Sequence, residues 1–176
     1  MENVTFETMV PRLIKPSLRI MDELTPCKLQ VLHMALGIAG EAAEVQQEIR
    51  NLNGDNSKLI LELGDVEFYF EGMSLDMASG LPISQTGLVP EQYKNDITEK
   101  ACILIESVKK WTMNDKFDSN HFHVALLDVR YSLECIYRTY LIDREEALQA
   151  NVKKLSKRYE GLMYTDEAAS AKRDET

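Results

Sequence analysis

Two pairs of acids at helical spacing constrain this chain more than any other feature. Gly37-Ile-Ala-Gly-Glu41-Ala-Ala-Glu44 carries the first pair, and Glu62-Leu-Gly-Asp65 carries the second. Residues i and i+3 share a helix face, so each pair aims two carboxylates in one direction and two adjacent helices can bring all four to one point. Such a cluster calls for cations. Its oxygen donors suit Mg²⁺, with Mn²⁺ as the alternative, rather than zinc, because no thiolate or imidazole stands at ligand spacing beside them. The competing reading is two solvated helix faces, and three details count against it. Gly37, Ala39, Gly40, Ala42 and Ala43 keep the first helix thin, so that another backbone or a ligand can approach closely. Glu62 and Asp65 stand among Leu59, Leu61, Leu63, Val66, Phe68 and Tyr69, where unpaired charge is costly. Between Val31 and Ile49 there is one His and no Lys or Arg to neutralise the acids locally.

A chain of 176 residues is long enough for one domain with a substantial core, expected over residues 1–165 with a polar tail at 166–176. No apolar run approaches the roughly 18 residues needed to span a bilayer, and Glu2 and Glu7 break any signal-peptide pattern, so a soluble protein is expected. Cys27, Cys102 and Cys135 make neither a disulfide framework nor a metal knuckle, which favours a reducing, cytoplasmic compartment. The net charge of −9 argues against duplex nucleic acid or an anionic membrane as the main partner, since both need basic surface. A nucleotide site neutralised by metal is compatible with it.

Helical periodicity predicts a first helix over residues 6–23, made less regular by Pro11 and Pro16. Thr25-Pro26 starts a second that runs to Arg50 and carries the first acid pair, with Glu48 one turn beyond Glu44 as a further ligand or a solvated residue. Asn56 or Ser57 caps a third, from about Lys58 to Ala78. Lys58 stands one turn before Glu62, placed either to reach a phosphate or to pair with Glu62. Gly80 to Pro90 reads as a loop, and no stretch alternates convincingly with period two. An all-α fold follows.

Two more helices are expected, from about Glu91 to Met113 and from about Asn120 to Tyr140. Glu106-Ser-Val-Lys109 and Leu-Leu-Asp128-Val-Arg-Tyr-Ser-Leu133 echo the acid-bearing frame, with Lys109 in the place of Glu44 and Ala125 in that of Glu62. A degenerate internal duplication, its second hairpin stripped of ligands and covering the nucleotide, would explain this. The alternative is chance agreement between two amphipathic helix pairs. His121 and His123 lie beside Asp118, but residues two apart do not share a helix face, so a solvated pair is the simpler reading than a metal site. Trp111 and Tyr69 are candidates to stack on a base, against the commoner role of helical aromatics in a core. Asp143-Arg-Glu-Glu146 reads as a capping box opening the last helix. There Asn151, Lys154 and Arg158 fall on one face, an amide and two cations suited to a polyphosphate or to the helix C-terminal dipole. Beyond Met163 the polar sequence suggests a flexible or partner-dependent segment.

Glu-x-x-Glu followed after 17 residues by Glu-x-x-Asp resembles the metal motif of the MazG-like all-α nucleoside triphosphate pyrophosphohydrolases. Three blocks carry the resemblance: His33 to Glu41, Leu63 to Tyr69, and Asn151-Val-Lys-Lys154-Leu-Ser-Lys-Arg158-Tyr159. They cover residues 31–72 and 145–165 and leave the middle unmatched. Where that family usually continues into Pro and Gly-Phe, this chain has Glu160-Gly161-Leu162.

The resemblance implies a MazG-like helical bundle that assembles as a dimer or tetramer. It also implies Mg²⁺-dependent cleavage of a (deoxy)nucleoside triphosphate to monophosphate and pyrophosphate. Glu41, Glu44, Glu62 and Asp65 would be metal ligands and catalytic residues, and Asn151, Lys154 and Arg158 would bind phosphate, supported by Lys58 or Lys109. A dUTPase or dCTPase of the same superfamily is one competing expectation. A non-enzymatic helical protein that keeps the acids as a divalent-cation or partner-binding site is the other.

Overall fold

The computed structural model describes residues 5–76 and 97–171, and every regular element among them is helical. In chain order these are α1 (Phe6–Leu13), α2 (Ser17–Glu23), α3 (Pro26–Asn51), α4 (Ser57–Asp76), α5 (Ile97–Asn114), α6 (Ser119–Tyr140), α7 (Arg144–Arg158), a 3₁₀ turn (Glu160–Leu162) and α8 (Asp166–Ala171). The expected loop at Gly80 to Pro90, the start of a helix at Glu91 and the end of one at Ala78 lie outside the described residues. Among the described residues, no helix is long and apolar enough to cross a membrane.

The helix starts follow from their caps. The Thr25 hydroxyl accepts from the Lys28 amide at 3.2 Å with Pro26 in the first turn, and the Asp118 carboxylate accepts from the His121 amide at 3.0 Å. Four sequence expectations need correction. The stretch 6–23 is two helices rather than one, because Pro16 has no amide to donate and disfavours helical backbone at the residue before it; Ile14 and Pro16 are extended. Asn56 stands at the N-cap of α4, its carbonyl accepting from the Ile60 amide at 2.9 Å, but the side-chain cap comes from Asp55: its carboxylate accepts from the Ser57 amide at 2.9 Å and hydroxyl at 2.6 Å, while the Asn56 side chain donates to the Tyr140 carbonyl at 3.2 Å. Asp143 caps α7 through the Glu145 amide at 3.0 Å, one residue short of the amide a capping box uses. Beyond Met163, where a flexible or partner-dependent segment is expected, the chain forms α8, whose first turn is capped by Thr165 accepting from the Ala168 amide at 3.1 Å.

The core forms where α3 packs on α4 and α5, α5 on α6, and α4 on α7. Val31, Ile38, Leu59, Leu63, Met73, Leu104, Leu126 and Leu133 are fully buried within it. Each such aliphatic side chain contributes about 1.5–3 kcal/mol over its exposed state. The burial pattern also bears on the sequence echo. Leu59, Leu63, Val66, Phe70 and Met73 of α4 recur in register as Phe122, Leu126, Val129, Leu133 and Ile136 of α6. On α3, Val31, Ala35, Ile38 and Ala42 match Ile97, Ala101, Leu104 and Val108 of α5. That alignment is one residue off the acid frame, placing Ser107 opposite Glu41 and Lys110, rather than Lys109, opposite Glu44. Glu67 and Arg130 occupy matching places on α4 and α6 and bond each other at 2.7 Å.

Two close approaches require glycine. A Cβ on Gly37 would sit 2.3 Å from the Tyr69 ring, so the thin stretch of α3 is filled by an aromatic of α4. A Cβ on Gly64 would meet the Ala147 carbonyl oxygen at 2.6 Å and the Asn151 Cβ at 2.9 Å. Backbone cannot yield as a side-chain tip can, so Gly64 sets the distance between α4 and α7. Gly64→Ala is expected to cost about 1–3 kcal/mol in denaturant unfolding, and an unchanged midpoint would contradict this packing.

Glu67 is 2% exposed, yet carries a network that the sequence reading did not anticipate. Its two oxygens accept from Arg130 Nη1 at 2.7 and 2.9 Å, from Arg144 Nε and Nη2 at 2.8 Å each, and from the Tyr137 hydroxyl at 3.1 Å. Arg130 also donates to Glu134 at 2.7 Å. Burial raises the Glu67 carboxyl, but the hydrogen bonds from Arg144 and the charges of both arginines outweigh it and hold the group below the ordinary carboxylate range.

Candidate metal and phosphate site

α3 and α4 bring three of the four motif acids together. Carboxylate oxygens of Glu41, Glu62 and Asp65 lie within 4.8 Å of one another, each side chain half-buried. The i, i+3 spacing on α4 turns Glu62 and Asp65 to the same side, and close packing on α3 supplies Glu41 opposite them. Glu44 is exposed on the same cleft and stands outside that group of three.

α7 forms the other wall. Asn151 Nδ2 donates to Asp65 Oδ1 at 2.7 Å, and the Lys154 ammonium bonds Asp65 Oδ2. Lys58, Asn151, Lys154 and Arg158 all line the cleft, whose volume is about 1040 Å³. Lys109 does not. Its ammonium pairs with Glu106 at 3.3 Å on the exposed face of α5, where the two positions stand one turn apart. The aromatic candidates separate in the same way. Tyr69 lines the cleft, edge-on to His33 with ring centroids 6.1 Å apart, whereas Trp111 packs on Phe117 at 4.9 Å. His121 and His123 join no metal-ligating group among the described residues, and His123 Nδ1 lies 2.6 Å from the Ser119 carbonyl oxygen.

The sequence reading missed several lining residues. Lys153 and Lys157 add positive charge on α7, and Phe68, half-exposed, offers a ring at the cleft beside Tyr69. The lysines were visible as a basic run, but they lie off the face shared by Asn151, Lys154 and Arg158, and only the packing of α7 on α4 shows that they too border the cleft.

Crowded acids with little compensating charge hold protons tightly. Burial, followed by repulsion from Asp65, Glu44 and Glu62, pushes the Glu41 carboxyl up to about 7 against the opposing pull of Lys154. Burial, then Asp65 and Glu44, pushes Glu62 up to about 6. A hard divalent cation replacing those protons would relieve the same repulsion, so the all-oxygen donor set fits Mg²⁺ or Mn²⁺. Divalent affinity is accordingly expected to rise between pH 5.5 and 8, with proton release seen as buffer-dependent heat in calorimetry. Without metal the signs of the stability contributions are opposed. Protonated Glu41 and Glu62 favour the fold at low pH, a contribution lost as pH climbs through about 6 and 7. Glu67, held low, contributes above the ordinary carboxylate range and loses its contribution on acidification.

No protein-family profile, curated protein or solved structure matches the chain. The functional reading therefore rests on these residues and their geometry.

Proposed function

We propose that this protein is a divalent-cation-dependent nucleoside triphosphate pyrophosphohydrolase, cutting its substrate to a monophosphate and pyrophosphate. One observation carries the reading: three carboxylates converge within 4.8 Å and face, across a cleft, a helix that presents an amide and several cations. A triphosphate complexed with a metal needs both walls at once. The motif resemblance to MazG-like enzymes supports the same conclusion.

Glu41, Glu62 and Asp65 would hold Mg²⁺, with Glu44 on the adjoining turn of α3 completing the oxygen set. When bound, the ion supplies charge neutralisation and acidifies a coordinated water. The chain's own residues do the rest. Lys154 and Arg158 offset charge on the leaving pyrophosphate, with Lys58 on the facing helix and Asn151 donating through its amide. A Glu41 oxygen not used by the metal would orient the attacking water or take its proton. Phe68 and Tyr69 give the nucleoside an aromatic wall. Assembly as a dimer or tetramer belongs to the same proposal, and Leu18, Met21, Leu29 and Leu36 are exposed apolar residues available to it.

Calorimetry with Mn²⁺ and then a non-hydrolysable triphosphate tests the reading. Both are expected to bind, the nucleotide only after the metal, and a protein that binds neither would overturn it.

A further inference from the structure

Along α7, Arg144, Ala147, Asn151, Lys154 and Arg158 fall on one stripe, and the first four meet α4 in sequence. Arg144 grips Glu67 through two parallel 2.8 Å hydrogen bonds, Ala147 and Asn151 lie against Gly64, and Asn151 and Lys154 hold Asp65. The helix is thus fastened at two ends. One fastening is weakened by its chemistry: a carboxylate that ligates a metal shares its electron density with the ion, which loosens its bonds to Asn151 and Lys154, and a lysine drawn to a phosphate is pulled from its carboxylate partner. The other fastening stays. Glu67 lies away from the cleft, is buried, and makes all its bonds within the protein.

We propose that Arg144 is a positioning residue: its paired hydrogen bonds to Glu67 keep α7 in register on α4 once Asp65 turns to a metal ion, so that Lys154 and Arg158 remain aimed at the triphosphate. The inference rests on the pyrophosphohydrolase reading for its substrate, and on geometry alone for the clamp. The guanidinium suits the task. Its planar fork spans both carboxylate oxygens and fixes direction as well as distance, which a single ammonium does not. A buried ionic cluster is poor evidence for added stability, since apolar side chains of similar volume often serve as well, and fixing the register of a helix is a better-attested use.

The test is amide hydrogen exchange over residues 150–158 in the full chain, with and without saturating Mn²⁺, for wild type, Arg144→Gln and Arg144→Lys. All three are compared at a temperature where circular dichroism shows them folded. Wild type is expected to keep protection in both states. Arg144→Gln is expected to keep it without metal, where Asp65 still holds α7, and to lose about tenfold or more with Mn²⁺; Arg144→Lys is expected to recover only part. In turnover, the Gln variant is expected to raise KM for a triphosphate about tenfold to a hundredfold at unchanged Mn²⁺ affinity. Equal loss of protection in both states, or none in either, would overturn the proposal, because a merely structural role does not depend on the metal. A wild type that shows the exchange pattern but releases no pyrophosphate would overturn the functional reading and leave the clamp standing. A wild type that binds no Mn²⁺ would overturn both.

Discussion

Asp65→Ala is expected to lower pyrophosphate release by about a thousandfold or more, equivalent to roughly 4 kcal/mol of lost transition-state stabilisation. Asp65 is where the two walls of the cleft meet. Its carboxylate belongs to the group with Glu41 and Glu62, and its oxygens take the amide of Asn151 and the ammonium of Lys154. Removing it therefore takes away a metal ligand and, in the metal-free state, one fastening of α7. The helical circular dichroism should change little, because Leu63, Val66 and the buried apolar face of α4 are untouched. Steady-state assay of a triphosphate with Mg²⁺, paired with circular dichroism, measures both halves. Retained turnover would remove Asp65 from the machinery, and a collapsed spectrum would make its role structural. Glu62→Gln is expected to behave similarly in the assay, since the amide keeps the shape and loses the charge.

The second large effect is on stability. Glu67→Ala leaves Arg130 buried and Arg144 half-buried without their shared partner, and strips the Tyr137 hydroxyl of an acceptor. Breaking a buried pair from one side typically costs about 3–5 kcal/mol, which for a chain of this length is roughly 6–20 °C in Tm. Replacing both Glu67 and Arg130 with Met should cost far less than Glu67→Ala, because the charge is removed rather than orphaned. The pair of thermal melts decides the matter: if Glu67→Ala melted with wild type, the network would be dispensable to the fold. Arg130 Nε is buried without a hydrogen bond among the described residues, and the double replacement removes that group as well.

Much of the fold was legible because helical periodicity and caps are local. Thr25-Pro26 starts α3 and Asp143 precedes α7, as their side-chain chemistry dictates. The paired acids were equally plain, since spacing on a helix decides their direction before any packing is known. What escaped depends on which helix meets which. Glu67 was given no role in the sequence reading, although it occupies the apolar stripe with Leu63, Val66 and Phe70. Arg130 stands in the corresponding stripe of α6, and two opposite charges at matching buried places were the available signal. Lys109 was misplaced because the acid frame suggested one register for α5 and burial imposed another. Gly64 entered the sequence reading only as a member of Glu62-Leu-Gly-Asp65; the approach of the Ala147 carbonyl and Asn151 shows what its missing side chain permits.

Phosphorus NMR of a nucleoside triphosphate incubated with the purified protein and Mg²⁺ is the most direct test. The three triphosphate resonances should give way to nucleoside monophosphate and inorganic pyrophosphate in equal amounts, and chelation of the metal should stop the conversion. Orthophosphate with nucleoside diphosphate as the products, or a triphosphate spectrum unchanged across a panel of bases, would contradict a pyrophosphohydrolase built on Glu41, Glu62 and Asp65.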